Sequence, residues 1–293
     1  MRPGPAAAAG VVASYVSLDM PPRRTAAILA DIIRGEGWGS LDSEVQEKAE
    51  AWEKRFVENL RRSEGALNAR GGHCGFTFNS SDNELLQGAC YLEGNESDVV
   101  REAKRRRLAH GELLAALQQL TPAQFEDACR GMLVAMGVAD AQVTRRAADN
   151  GIDFFGRLSL DAELRRAVGL PGVYTTLRPW MVGQAKHYIK GQAATPDLRE
   201  LVGSVQLARA GAYPSRAPLT HLDIRACDPV FYLFFTTGTV SKDGWGLADA
   251  GGIVTLDGPM VAQLLADHSI GWSDGAFDQE EFAAWIAQNG PDV

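Results

Sequence analysis

Two stretches decide how this chain folds: Asn150-Gly-Ile-Asp-Phe-Phe-Gly-Arg157 and, after a Gly/Pro-rich loop, Trp180-Met-Val-Gly-Gln-Ala-Lys-His-Tyr188. Asn150-Gly151 reads as a turn, and the apolar run behind it predicts a strand over Ile152–Leu160. Asp153 stands inside that run. Burying a carboxylate among Ile152, Phe154 and Phe155 costs on the order of several kcal/mol unless it is paired or meets a cation. The second stretch predicts a strand over Trp180–Tyr188. Alternate residues of a strand share a face, so Gln184 and Lys186 point one way and Ala185 the other. If the two strands pair, one face collects a carboxylate, an amide oxygen and an ammonium.

Phosphodiester hydrolysis uses such a set. A hard divalent cation takes oxygen ligands, and Mg²⁺ is held by about one or two protein carboxylates plus water and substrate phosphate. The cation polarises the phosphate and acidifies the attacking water, and a nearby lysine steadies developing charge. In this reading Asp153 and Gln184 are the metal ligands and Lys186 is the electrostatic partner. On its own, an Asp followed by a distant Gln-x-Lys has an ordinary structural explanation. The surrounding chain gives it weight.

Upstream, Leu113–Leu120 leads to Thr121-Pro122, a cap followed by a proline at the first helical position, where its missing N–H does no harm. The helix predicted there runs to Met136, stops at Gly137, and carries Phe125, Cys129, Leu133 and Met136 as one apolar stripe. A short strand follows over Ala141–Arg145. A charged helix over Asp161–Ala167 separates the two decisive strands. Downstream, Thr195 or Pro196 opens a helix over Asp197–Ala210. Val230–Thr236 is a continuous apolar run, as a strand buried on both faces requires. Ile253–Leu256 reads as a strand, and Gly258-Pro259 opens a helix over Met260–His268. Strands interleaved with helices at this spacing indicate an α/β layered domain.

The first 110 residues have another character. Met1–Leu18 reads as a disordered start leading into a short strand over Val11–Leu18. Ile28, Leu29, Ile32 and Ile33 have helical spacing. A longer helix is expected over Glu44–Arg62, with Ser43 as N-cap and Gln46 completing a capping box. Cys74–Asn79 reads as a short strand. The basic run Arg101–Arg107 is either a solvated helix face or a phosphate-contacting one.

The 293 residues are 45% hydrophobic and 23% charged, with a formal net charge of −8. That composition supports an ordinary core, argues against a general nucleic-acid coat, and leaves room for a local phosphate-binding patch. Cys74, Cys90, Cys129 and Cys227 form no pair at zinc spacing and read as buried free thiols of a reducing, cytoplasmic protein. No run approaches the roughly 18 to 20 apolar residues of a membrane span, so no membrane partner is expected.

The segments Leu120-Thr-Pro-Ala-Gln-Phe-Glu-Asp127, Gly137-Val138, Asn150-Gly-Ile-Asp153, Val182-Gly-Gln-Ala-Lys-His-Tyr188, Phe234-Phe-Thr-Thr-Gly-Thr-Val-Ser241 and Thr255-Leu-Asp-Gly-Pro-Met-Val-Ala-Gln-Leu-Leu265 occur in this order. As an ordered set they resemble the Mrr-like restriction endonucleases of the PD-(D/E)xK nuclease superfamily, over roughly Glu112 to Gly271. The resemblance implies a central mixed sheet flanked by helices. It implies a Mg²⁺-dependent endonuclease, with Mn²⁺ as a substitute, that cuts double-stranded DNA in defence against foreign or modified DNA. It maps the family's site onto Asp153, Gln184 and Lys186, with Glu126 on the first helix completing it. The stretch Asp161–Trp180 departs from the family as an insertion. Gln184 stands where a carboxylate is common, which reduces the charge available for a second ion.

The domain boundaries expected are 1–110, a smaller, mostly helical recognition or sensor domain compatible with a winged helix, and 111–293, the nuclease domain. Double-strand cutting needs two sites, so a homodimer is expected. Two alternatives stay open: an effector nuclease switched on by a small-molecule or protein activator through residues 1–110, and a non-catalytic nucleic-acid-binding module that keeps the nuclease fold.

Overall fold

The computed structural model describes residues 2–290 except 73, 83, 139, 145–150, 159–176 and 213–220. The chain divides into two compact units, Met1–Leu108 and Ala109–Val293.

The first unit opens with helix α1 (Pro5–Val11) and a 3₁₀ turn over Val12–Ser14. The strand expected over Val11–Leu18 does not form, nor is the start disordered. Pro5 occupies the first helical turn, and the alanines behind it have the highest helix propensity of any residue. Burial of Ala7, Ala8, Ala9 and Val12 anchors the turn. Strand β1 (Arg23–Arg24), α2 (Thr25–Gly35), α3 (Asp42–Ala69), β2 (Phe76–Phe78) and β3 (Leu85–Gly88) follow, and the three strands form an antiparallel sheet in the order β1-β3-β2. Helix α3 begins before Ser43, so Ser43 is not its cap. Glu44 instead accepts the Ser40 N–H at 3.0 Å. Ile28, Leu29, Ile32 and Ile33 of α2 pack on Val45, Ala49, Phe56 and Leu60 of α3. Helix α4 (Asp98–Leu108) buries none of its residues and ends on Arg105, Arg106 and Arg107.

The second unit is built on a five-stranded mixed sheet in the order β10-β8-β6-β5-β4. Strands β4 (Gln142–Val143), β5 (Phe154–Arg157) and β6 (Trp180–Lys186) run antiparallel. Strands β6, β8 (Val230–Thr236) and β10 (Val254–Leu256) run parallel. A small parallel pair, β7 (Gln192–Ala193) with β9 (Thr239–Val240), sits beside it. Helices α5 (His110–Gln119), α6 (Pro122–Ala135), α9 (Gly258–Asp267) and α10 (Gln279–Gln288) cover one face against Phe154, Leu233 and Phe235. Helices α7 (Thr195–Arg209) and α8 (Lys242–Gly251) cover the other against Phe155, Val182 and Phe234. This is the α/β arrangement anticipated, a mixed central sheet flanked by helices.

Thr121 caps α6 through a complete capping box with Gln124. Helix α8 had no strong signal. Gly244 and Gly246 lower its intrinsic propensity, and Ser241 offsets this by accepting the Gly244 N–H at 3.0 Å. The hairpin of β11 (Trp272–Ser273) with β12 (Ala276–Phe277) and the helix α10 behind it extend the unit beyond the last element read from sequence. The charged helix expected over Asp161–Ala167 lies outside the described residues, as does most of the insertion. The four cysteines were expected to be buried, but only Cys90 and Cys129 are; Cys74 is partly buried and Cys227 is exposed. No described helix is long and apolar enough to cross a membrane.

Candidate active site

The register of β5 on β6 pairs Phe155 with Val182 and Phe154 with Gly183. One step further brings Asp153 across from Gln184, where the Asp153 N–H donates to the Gly183 carbonyl at 2.9 Å. The ladder ends there. The carboxylate of Asp153 takes over as acceptor, its Oδ2 receiving the Ala185 N–H at 2.7 Å. That bond fixes the side chain at the end of the strand pair. Gln184 pairs in register with Phe234, which faces α7. Neighbours in register share a face, so Gln184 and Lys186 both lie under α7.

Gln184 is 1% exposed. Its Oε1 is buried and accepts no hydrogen bond. Lys186 is partly exposed, and its Nζ donates to Glu200 Oε2 of α7 at 2.9 Å. Burial alone would lower the lysine pKa. The hydrogen bond to Glu200, with the charges of Glu200, Asp197 and Asp153, outweighs it and holds the ammonium above its ordinary value. The Glu200 carboxylate is held below its ordinary value by the Lys186 hydrogen bond first. Burial opposes this, and the Lys186 charge and a hydrogen bond from the Gln184 amide add to it.

Glu200 belongs to none of the sequence motifs, and Gln206 of the same helix donates to the Tyr232 hydroxyl at 2.7 Å. A signal was present: Asp197, Glu200 and Ser204 recur at i, i+3 and i+7 beside the buried Leu198, Leu201 and Val205. Gly151 has φ 66° and presses against this stripe: a Cβ there would strike Ser204 Oγ and sit 3.2 Å from Glu200 Cγ. Asn150 lies outside the described residues.

Glu126 sits half-buried on α6, on the other side of the sheet's edge. The buried Cys129 thiol, one turn along the same helix, is pushed well above its ordinary value by burial first and then by Asp153, Glu126 and Asp127. His187 packs edge-on against Phe125, ring centroids 6.1 Å apart. Arg157 lies at the end of β5 opposite to Asp153. It pairs with Asp140 at 3.1 Å and lies over the Trp180 ring, 5.8 Å from its centroid. Arg145 and Arg146 lie outside the described residues, and Lys190 is exposed beyond the end of β6.

Among the described residues no group of three or more His, Cys, Asp or Glu side chains could hold a metal ion. The donor set is instead one carboxylate and one amide oxygen. A buried acceptor left unmade costs about 1–3 kcal/mol. A cation shared by Gln184 Oε1 and Asp153 would satisfy it, with water and substrate oxygens completing the shell. This suits Mg²⁺, which keeps several waters and uses few protein ligands. The residues fit the cation.

No curated protein matches the chain. Among solved structures it is similar to MspJI restriction endonuclease in complex with a 27-mer oligonucleotide, at 16% identity and a TM-score of 0.40, covering 68% of this chain and 39% of that one. It is also similar to the DNA modification-dependent restriction endonuclease AspBHI, at 16% identity and a TM-score of 0.37, covering 70% of this chain and 45% of that one. The chain thus spans less than half the length of either. The Mrr_cat restriction endonuclease family profile matches residues 117–213, the segment that holds α6, β5, β6 and α7. Over that segment, which carries Asp153, Gln184 and Lys186, the chain is similar to the Mrr-like restriction endonucleases.

Proposed function

We propose that this protein is a divalent-cation-dependent endonuclease that hydrolyses the backbone of double-stranded DNA, foreign or modified, with Mg²⁺ as its cation and Mn²⁺ able to substitute. The observation that carries the reading is the unpartnered, buried Oε1 of Gln184, across the strand pair from Asp153 and on the same face as Lys186. Asp153 and Gln184 would hold the cation, which would supply Lewis acidity and acidify a water. Asp153, tied down by the Ala185 N–H, gives the cation a fixed anionic ligand. Gln184 adds a neutral oxygen, so the pair favours one strongly held ion over two. Lys186 stays protonated and orients the nucleophile or steadies charge growing on the phosphate. Glu126 of α6 is the further carboxylate proposed to complete the acidic rim.

The first unit is proposed to recognise the DNA. Its order of helix, strand, helix, helix, strand, strand around an antiparallel β1-β3-β2 sheet is the connectivity of a winged helix, which supports this role. Cutting both strands needs two sites, which makes a homodimer the expected working form, in the cytoplasm where the target DNA is met.

The test is incubation of the full chain with plasmid and with methylated and unmethylated duplexes, in Mg²⁺, Mn²⁺ and EDTA. Cation-dependent cutting lost in both Asp153→Ala and Lys186→Ala, with the fold retained, is the expected result. Undiminished cutting by folded Asp153→Ala protein would refute it, as would no cutting of any DNA with either cation.

A further inference from the structure

We propose that Glu200 is a positioning residue that decides which end of the Gln184 amide faces the cation, while holding Lys186 beside it. The inference rests on the nuclease reading and concerns a residue outside the Asp, Gln and Lys set.

A primary amide has two unlike ends. Its NH₂ only donates and its oxygen only accepts. A cation needs the oxygen, and an amide turned by 180° would present the wrong end. Gln184 is buried, so water does not average the two orientations. Glu200 breaks the tie. Its carboxylate accepts only, it takes the Lys186 ammonium at 2.9 Å, and it draws the Gln184 amide N–H as a further donor. The opposite orientation would set the amide oxygen against a carboxylate. The end left unclaimed is Oε1, the buried atom without a partner. Glu200 is itself held in place, because its Cγ lies against Gly151, two residues before Asp153. One carboxylate on α7 thus orients both functional side chains of β6.

The need for this device comes from glutamine. A glutamate at position 184 would have two equivalent oxygens and nothing to orient, and it would face Glu200 as a like charge. The two substitutions should therefore interact. In the native background, E200Q replaces a carboxylate that only accepts with an amide that can also donate to Oε1, so the amide orientation is no longer selected. In a Q184E background, E200Q removes a repulsion instead.

The experiment measures Mn²⁺ affinity of the full chain by electron paramagnetic resonance of the free ion. It compares wild type, E200Q, Q184E and the double variant, with Mg²⁺-dependent cleavage as a second readout and thermal unfolding as the folding control. Removing such a supporting partner typically weakens metal binding about 10- to 100-fold, and E200Q is expected to do so in the native background. In the Q184E background E200Q is expected to change affinity by less than about 3-fold, or to tighten binding. Equal loss in both backgrounds would mean a merely structural role and overturn the inference, as would no loss in the native background. If wild type neither binds Mn²⁺ nor cuts DNA, the nuclease reading falls and the inference with it. That outcome differs from wild type binding and cutting while the substitutions fail to interact.

Discussion

Replacing Gly151 by alanine perturbs the point where the Asp153 turn leans on α7, and its cost has two separable parts. Gly151 has φ 66°. An L-residue in the left-handed region costs about 1–2 kcal/mol. The second part is contact: the new methyl would strike Ser204 Oγ, 3.3 Å from Ser204 Cβ and 3.2 Å from Glu200 Cγ. Overpacking of this kind costs about 1–3 kcal/mol. The sum is about 2–5 kcal/mol. Ser204→Ala removes the nearest atom, so a double-mutant cycle of Gly151→Ala with Ser204→Ala should show a coupling of about 1 kcal/mol. The rest should persist as backbone strain. Native-state hydrogen exchange of the β6 amides, Trp180 to Lys186, reads the second unit alone and gives each free energy. A Gly151→Ala protein within about 0.5 kcal/mol of wild type would refute the strain argument, and absence of coupling would refute the contact argument. Cleavage should fall far more than stability, because a shift of about 1 Å in Asp153 can cost about 100-fold in rate.

Thr121→Ala removes the α6 capping box and should cost about 1 kcal/mol, seen as faster exchange of the Gln124 amide, which Thr121 Oγ1 now accepts at 3.2 Å. Gly183→Ala would drive a methyl into the Phe154 ring, which stacks on Phe235 with centroids 5.2 Å apart. It should lose about 1–3 kcal/mol in denaturant unfolding, and an unchanged midpoint would show that the ring can move aside. Asp257 caps α9 by accepting the Met260 N–H at 3.1 Å, and burial raises its pKa above 3.8 despite that bond and the His110 charge. The folded state therefore binds the proton more tightly than the unfolded one. Stability falls as pH rises from 3.8 through the raised value, and the penalty persists above it. Asp257→Asn keeps the cap and should abolish that slope in melting temperatures measured from pH 3.5 to 7, whereas Asp257→Ala should lose about 1 kcal/mol across the range.

The elements of the second unit were legible wherever local pattern and burial agree. Val230–Thr236 is apolar throughout because β8 lies between β6 and β10, and the strand has those same limits. Thr121-Pro122 opens a helix because its cap is complete within four residues. Local pattern failed where two states compete. Val11–Leu18 is β-branched enough to read as a strand, yet the alanines before it carry the chain into a helix that a nearby core buries. Ser43 had the chemistry of a cap, but the helix began upstream of it.

Within the candidate site, the sequence by itself determined that Gln184 and Lys186 share a face, because alternation along a strand is a property of the backbone. It also marked Asp153 as a carboxylate in an apolar setting that needs compensation. Only the tertiary structure decided that Asp153 lies across from Gln184 and that Arg157 points its charge to the far end of the sheet. It alone decided that Glu200 joins Lys186. Those facts depend on the register between strands far apart in the chain and on the docking of α7, which packing of Phe155, Val182 and Phe234 sets. Periodicity records which way a side chain points within its own element, and says nothing of what stands opposite.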